Sequence, residues 1–509
     1  MKKIFYISCK DFFFIDLAEK LRLKKKWIPV YWTANKEHEE KVLKKFPNTL
    51  FEKNIYRVRG YVPKNQQIDF DSFNSSIVKL KLNKLKKISA YMLERFNFDN
   101  SFTDSEKNDI INHHIKYSDF ITEVKKPDIA IFQEIPHYVF DYILYEICKI
   151  KKIETLMFSY SNFNGFSYIR KSIFSNPPLL KIKKFYKELK FQSDYNRIKI
   201  KSDTAPKAEE WVKKKTQYSS KELSIIIRIQ RILKNKKVFW ETLKKIFKIN
   251  DVTSAGYIKL KGKSFLTFPT FFQQFLLMKK TEKFSINLQK KYRSLCKKPD
   301  LDKNYVSFFL HYEPERATSP QCGLLYNQIQ NIINIGKLLP DNYYLYVKEH
   351  YKTFLTHAMM RRQFRKIEDY LEILGNKKII LIDDRYPSIR LIQKTKCVVT
   401  GVGTVASEAL INLKPVMTFG YSWINAFPHT LSMRSKFKLR ESLNKIYNEE
   451  VYFNEKEVVE FLKKFSSINY KMQHTSLLKL IDPDLLTDKE NVDTMFEAIN
   501  SATTKLKEL

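Results

Sequence analysis

Glycine is scarce in this chain, 10 residues of 509, and cysteine is scarcer, at 5. The five cysteines, Cys9, Cys148, Cys296, Cys322 and Cys397, are scattered without close pairing, which argues against a disulfide framework and a cysteine-held zinc. A reducing cytoplasm is the expected compartment. No apolar run approaches the roughly 18 residues a membrane-spanning helix needs. Met1 to Ser8 has the charged start of a signal peptide, but Lys10 and Asp11 break its apolar stretch, so it reads as a first buried strand. Acidic side chains are in deficit, 55 against 92 basic ones, a net charge of +37. Such a field attracts polyanions or an anionic membrane, although solvated lysine faces in a Lys/Asn/Ile-heavy composition need no partner. Zinc-finger spacing, a heptad-plus-basic region and an RNA-binding sheet motif are all missing, which argues against nucleic acid and leaves charge alone in its favour.

What the chain does have is apolar bulk, 43% hydrophobic residues, enough for substantial cores. At 509 residues two domains of unequal size are expected. Residues 1 to about 160 read as α/β: strands at Ile4–Ser8, Trp27–Thr33, Lys126–Phe132 and Thr155–Phe158, with helices at Phe13–Leu23 and Tyr138–Lys149. Alternation of this kind implies a parallel sheet, whose ligands gather at the carboxyl ends of strands, where Glu134 and His137 fall. Residues 175–300 turn helical and basic, with apolar stripes at Leu223–Leu233 and Val238–Phe247 and an aromatic-rich stretch at Phe265–Met278. Those helices suit either an anionic bilayer or the outer layer of a domain. A second α/β block begins near Tyr305, with strands at Tyr305–Leu310, Tyr343–Lys348 and Lys378–Ile382 and helices at Gly323–Leu338, Phe354–Gly375 and Ser388–Lys394. The tail from Glu455 to Leu509 reads as helical and polar. The expected domains are 1–300 on the acceptor side, 301–450 on the donor side, and terminal helices over 451–509 that pack back on the first domain.

Three of the ten glycines fall between Val398 and Gly420. There an apolar run breaks at Gly401-Val402-Gly403-Thr404, resumes as a short helical pattern, and re-enters an apolar run at Val416. That is how a βαβ unit with a phosphate-cradling turn reads. A helix beginning at Gly403-Thr404 would turn free N–H groups and its dipole toward an anion. Glu408 follows Thr404 by one turn and shares its face, so a carboxylate there can take a ribose diol. His350, at a strand end, can donate to or protonate a departing phosphate oxygen. Arg316 can pair with phosphate or a sugar carboxylate through its planar fork, and Glu134 can act as general base on an acceptor hydroxyl. Lys348 and His137 are further candidates. Asp383-Asp384 reads as loop solvation or helix capping, and no metal is expected.

Tyr312-Glu313-Pro314-Glu315-Arg316-Ala317-Thr318, then Tyr346-Val347-Lys348-Glu349-His350, then Thr400 to Gly420, occur in an order that resembles the capsule polysaccharide biosynthesis proteins. Lys126-Pro127-Asp128 and Glu134-Ile135-Pro136-His137 are similar to that family's acceptor domain. The resemblance covers roughly residues 300–425, is thinner over 1–160 and does not extend to 175–300. Tyr351 stands where the family has a proline after the histidine, and Leu413 where a glycine usually precedes Lys-Pro.

The family includes Kdo transferases using CMP-Kdo. The resemblance therefore implies a GT-B fold, α/β with two Rossmann-like domains facing a cleft plus a basic helical insertion. It implies metal-independent glycosyl transfer without a cofactor, from a nucleotide sugar to a glycan or lipid-linked acceptor. Glu134 and His350 would be catalytic, and His137 would lie on the acceptor side. Arg316, Lys348, Gly401, Gly403, Thr404, Ser407 and Glu408 would hold the donor. The expected seat is the cytoplasm, peripherally at the inner face of the membrane. Alternatives are a nucleotide-sugar epimerase of the same architecture and a non-catalytic component of a polysaccharide assembly complex.

Overall fold

The computed structural model describes residues 1–54, 73–77, 82–96, 103–161, 166–176, 258–259, 266–267, 271–313, 315–354, 364–475 and 488–504. The apolar stripes expected at Leu223–Leu233 and Val238–Phe247 lie outside these residues. Of the region 175–300, a two-strand pair, β7 (Ile258–Lys259) and β8 (Leu266–Thr267), and the helix Phe271–Leu295 are described.

The first sheet is built on β1 (Lys2–Ile7), β2 (Trp27–Ala34), β3 (Leu50–Lys53), β4 (Ile129–Phe132), β5 (Glu154–Tyr160) and β6 (Phe166–Arg170). Ile4 to Ile7 and Ile129 to Phe132 are buried on both faces, as befits central parallel strands covered by helices. One face carries Ile88, Ile111, Ile115, Ile143 and Ile147 from the helices Asn83–Leu93, Asp104–Lys125 and Val139–Ile150. Thr103 and Glu106 close the start of Asp104–Lys125 with a reciprocal capping box. The other face carries Phe14, Leu17 and Leu21 of the helix Phe13–Lys25.

The second sheet contains β9 (Asn304–Phe309), β10 (Tyr343–Lys348), β11 (Ile379–Ile382), β12 (Cys397–Thr400), β13 (Val416–Thr418) and β14 (Leu431–Ser432), all parallel. Each of its faces has its own apolar cluster, one around Val306, Phe308 and Ile332, the other around Tyr305, Tyr346 and Leu410.

The strand orders fix where ligands can lie. The first sheet runs β15-β6-β5-β4-β1-β2-β3, where β15 is Tyr470–Lys471, and the second β11-β10-β9-β12-β13-β14. In the first, the chain moves one way from β1 to β3 and the other way from β4 to β5, so the crevice between β1 and β4 is a topological switch point. The second has its switch point between β9 and β12. Two such doubly wound units make an α/β, GT-B-like architecture.

Some elements differ from expectation. The stretch Gly323–Leu338 divides into a single tight turn, Gly323–Leu325, and a helix, Gln328–Gly336, because the Asn327 side chain caps the helix by accepting from the Gln330 N–H. Of the helix expected over Phe354–Gly375, Ile367–Leu374 is helical, Tyr351–Phe354 forms a short turn, and residues 355–363 lie outside the described residues. The tail is interrupted by β15 (Tyr470–Lys471), which pairs antiparallel with β6 at the edge of the first sheet. After it the helix Asp488–Thr503 buries Met495 and Ile499 against Phe14 and Leu17, with Lys20 paired to Asp493.

Candidate functional site

At the switch point of the first sheet, β1 gives way to Lys10, whose backbone N–H donates to the Gln133 side-chain oxygen at 2.5 Å, while the Gln133 amide donates to Asp11 at 2.7 Å. Glu134 follows Gln133. At the switch point of the second sheet, β9 gives way to His311 and a loop carrying Arg316. The two points meet through an ion pair, Arg316 Nη1 to Glu134 Oε2 at 3.1 Å. Arg316 also lies over the Tyr160 ring at 6.0 Å. Arg95, from the first domain, ties the loops together by donating to the carbonyls of His137, Glu315 (2.8 Å) and Ser319.

The charge state of this cluster follows from its neighbours. Burial alone would raise the Glu134 carboxyl, but His137, Arg316, His474 and Lys10 outweigh it and hold it below its ordinary value. Burial pushes the imidazoles of His137 and His474 down to about 4, so both are neutral at pH 7. The Lys10 ammonium sits over the Tyr138 ring at 4.9 Å. His474 arrives with the return of the chain after β15; its Nδ1 bonds Ser167 Oγ at 2.9 Å, and its ring meets Tyr160 edge-on at 4.5 Å.

In the second sheet, the glycine turn differs from the expected cradle. The N–H groups of Gly401 and Val402 both donate to His311 Nε2, each at 3.1 Å, rather than standing open. Two donors on one nitrogen require it unprotonated, and burial pushes His311 down to about 4. A Cβ at Gly401 would come within 2.8 Å of both His311 Nε2 and Cys322 Sγ, so the glycine permits close approach of chain to chain. The helix starts at Val405 with Thr404 as its N-cap, one residue later than expected. Ser407 Oγ donates to the Thr404 carbonyl at 2.7 Å.

Glu349 and His350 end β10. Glu349 is buried; it accepts from Tyr370 at 2.9 Å, Arg365 at 3.0 Å, Thr353 at 3.1 Å and the His350 N–H at 2.8 Å, which fixes the backbone on which His350 stands. Arg365 reaches on to Glu313 at 2.7 Å, and Tyr91 of the first domain donates to the same Glu313. The His350 ring stacks on Tyr351 at 4.9 Å, and its Nδ1 accepts from the Lys352 N–H at 3.2 Å. Lys348 is lowered by burial against the pull of Asp384, Asp383, Glu349 and Glu408, so it and Glu408 share one neighbourhood. Asp384 is held by Arg293 at 2.8 and 3.0 Å, and Asp383 by Arg385 at 2.9 Å. Among the described residues no group of three or more His, Cys, Asp or Glu side chains is arranged to hold a metal ion.

The structure thus joins Glu134, His137 and Arg316 at one place, and gathers Lys348, Glu408 and the glycine turn around the ends of β10 and β12. Sequence reasoning did not single out His311, Glu349, Arg365, Lys10, Tyr160 or His474. His311 and Glu349 carried a signal, a polar residue directly after an apolar strand. His474 carried none, since its place depends on a two-residue strand.

Residues 336–430 match the family model described as "Capsule polysaccharide biosynthesis protein". A search of curated proteins found no match. Similar solved structures include a Staphylococcus aureus MnaA–UDP complex, at 12% identity over 92% of this chain and 94% of the other, TM-score 0.23. They also include Thermosulfurimonas dismutans KpsC, a beta Kdo 2,7 transferase, at 16% identity over 46% of this chain and 67% of the other, TM-score 0.25. A UDP-GlcNAc 2-epimerase from Neisseria meningitidis bound to UDP-GlcNAc gives 11% identity, 94% and 98% coverage and a TM-score of 0.23. At such scores these likenesses do not bear on activity. The segment matched by the family runs from the end of the helix Gln328–Gly336 through β10, His350, β12 and the glycine turn to the residue before β14. Four strands of the second sheet, β10 to β13, lie within the matched segment.

Proposed function

We propose that the chain is a glycosyltransferase of capsule or other surface polysaccharide biosynthesis, moving a sugar from a nucleotide donor to a glycan or lipid-linked acceptor. CMP-Kdo is the donor that the family resemblance suggests. The observation that carries this reading is the meeting of Glu134 and Arg316, which brings a base and a phosphate-pairing cation together from two facing switch points. In the reaction the acceptor oxygen attacks the anomeric carbon, its proton passes to Glu134, and the bond to the donor phosphate breaks with its electron pair on phosphate. His350 donates to that leaving oxygen, Arg316 and Lys348 offset its charge, and Thr404, Ser407 and Glu408 hold phosphate and ribose beside Gly401 and Gly403. His137 orders the acceptor side. Transfer needs no protein-bound metal or cofactor in this scheme.

The test has two parts. Thermal shift with CMP, UDP, GDP and ADP identifies the nucleotide, because a ligand of the folded state raises its melting temperature; Glu408→Ala abolishes that rise. With the matching nucleotide sugar, Glu134→Gln and His350→Ala each reduce transfer by about 100-fold or more while melting cooperatively; full activity in both variants overturns the site. The basic surplus supports a peripheral seat on an anionic membrane face. Co-sedimentation with phosphatidylglycerol vesicles that fades with salt is the expected behaviour, and its absence removes that part of the reading.

A further inference from the structure

Glu134 and Arg316 are read above as serving two different substrates, yet here they serve each other. We propose that the donor's phosphate and the Glu134 carboxylate compete for Arg316, so that nucleotide binding opens the ion pair and releases Glu134 to act as base. This deepens the reading given under Proposed function and rests on it.

The geometry suits an exchange of partners. Both side chains remain about a quarter exposed, 27% for Arg316 and 26% for Glu134, so an incoming anion can reach the pair. Glu134 is the carboxylate paired with Arg316 among the described residues, and the aromatic face of Tyr160 offers the guanidinium a second resting place. The backbone under Arg316 is fixed, because the carbonyl of Glu315 accepts from Thr318, Ser319 and Arg95. Only the side chain has to swing, and the two sheets need not move apart.

The consequence for Glu134 is electrostatic. With Arg316 in place the carboxylate is satisfied and a weak base. Once Arg316 turns to phosphate, Glu134 keeps burial, two neutral imidazoles and Lys10, whose ammonium rests on Tyr138. The hold on the carboxylate is then weaker by one cation, and its basicity rises. Acceptor deprotonation is thereby withheld until donor is bound, a donor-first order.

The experiment is a mutant cycle in nucleotide affinity, using CMP, UDP, GDP and ADP with calorimetry on wild type, Glu134→Gln, Arg316→Gln and the double variant. Because a part-exposed ion pair is worth a factor of about five in an equilibrium constant, Glu134→Gln tightens nucleotide binding by about fivefold. Arg316→Gln weakens it, and in that background Glu134→Gln has no further effect. Arg316→Lys keeps the charge and retains the response to Glu134→Gln, which guards against a merely misfolded Arg316→Gln. Unchanged or weaker binding in Glu134→Gln overturns the proposal while leaving the donor site standing. Nucleotide binding indifferent to Arg316→Gln overturns it too. If no nucleotide binds any variant, the proposal and the function it rests on both fall.

Discussion

Leu413 occupies the left-handed region, φ +54°, a conformation that favours glycine. It ends the helix Val405–Ile411 in a Schellman arrangement: the Leu413 N–H donates to Leu410 and the Lys414 N–H to Ala409. A branched side chain in that conformation costs roughly 1–2 kcal/mol, partly offset by the entropy glycine would lose. Leu413→Gly is therefore expected to stabilise by up to about 1 kcal/mol in urea unfolding, and a clear loss would show that the leucine side chain matters more than its strain. His311 works in the opposite sense. His311→Phe keeps the ring volume but leaves a buried N–H, that of Gly401, and a part-buried one, that of Val402, without their acceptor. A loss of about 1–3 kcal/mol per orphaned donor is expected; an unchanged melting temperature would mean the turn has another way to satisfy them.

Between elements, Arg365 bridges Glu313 of the loop after β9 to Glu349 at the end of β10. Arg365→Met leaves two buried carboxylates without their shared cation, and about 3–5 kcal/mol of destabilisation follows. The double replacement Arg365→Met with Glu349→Gln recovers part of this if charge is the cause. At the other end of the chain, Ile499 is fully buried between the terminal helix and the helix Phe13–Lys25. Ile499→Ala opens a cavity in the first domain's core and lowers stability by about 2–5 kcal/mol. A loss near zero would mean the terminal helix is docked only loosely.

For the whole molecule, buried imidazoles set the response to acid. His311 and His474 are both pushed from 6.5 down to about 4 by burial. Below pH 6.5 the unfolded chain takes up protons that the folded chain refuses, so stability falls steadily from pH 6.5 toward 4. Each shift of this size corresponds to about 3 kcal/mol, an appreciable part of a domain's total of roughly 5–15 kcal/mol. Glu134, held below its ordinary value, adds a further loss only once the pH falls beneath the normal carboxyl range, through its folded value. Urea titrations at pH 7.5 and 5.0 should show the histidine part, and a flat profile would contradict it. Among the described residues no helix is long and apolar enough to cross a membrane.

The sequence by itself determined the parallel strands and the ends they present. Runs such as Ile129–Phe132 and Cys397–Thr400 are buried on both faces and need no partner to be recognised. It also placed Glu134 and His350 at strand ends, since an apolar run closing on a polar residue is a local pattern. A helix limit slipped where capping took over, at Asn327. Tyr470–Lys471 was illegible because two residues carry no periodicity; the edge of β6 makes them a strand. Only the tertiary structure joined Arg316 to Glu134, 182 residues away, and gave the N–H groups of Gly401 and Val402 to His311. Contacts of that kind depend on which strands lie side by side, and the order of strands in a sheet is set by long-range packing that no local pattern encodes.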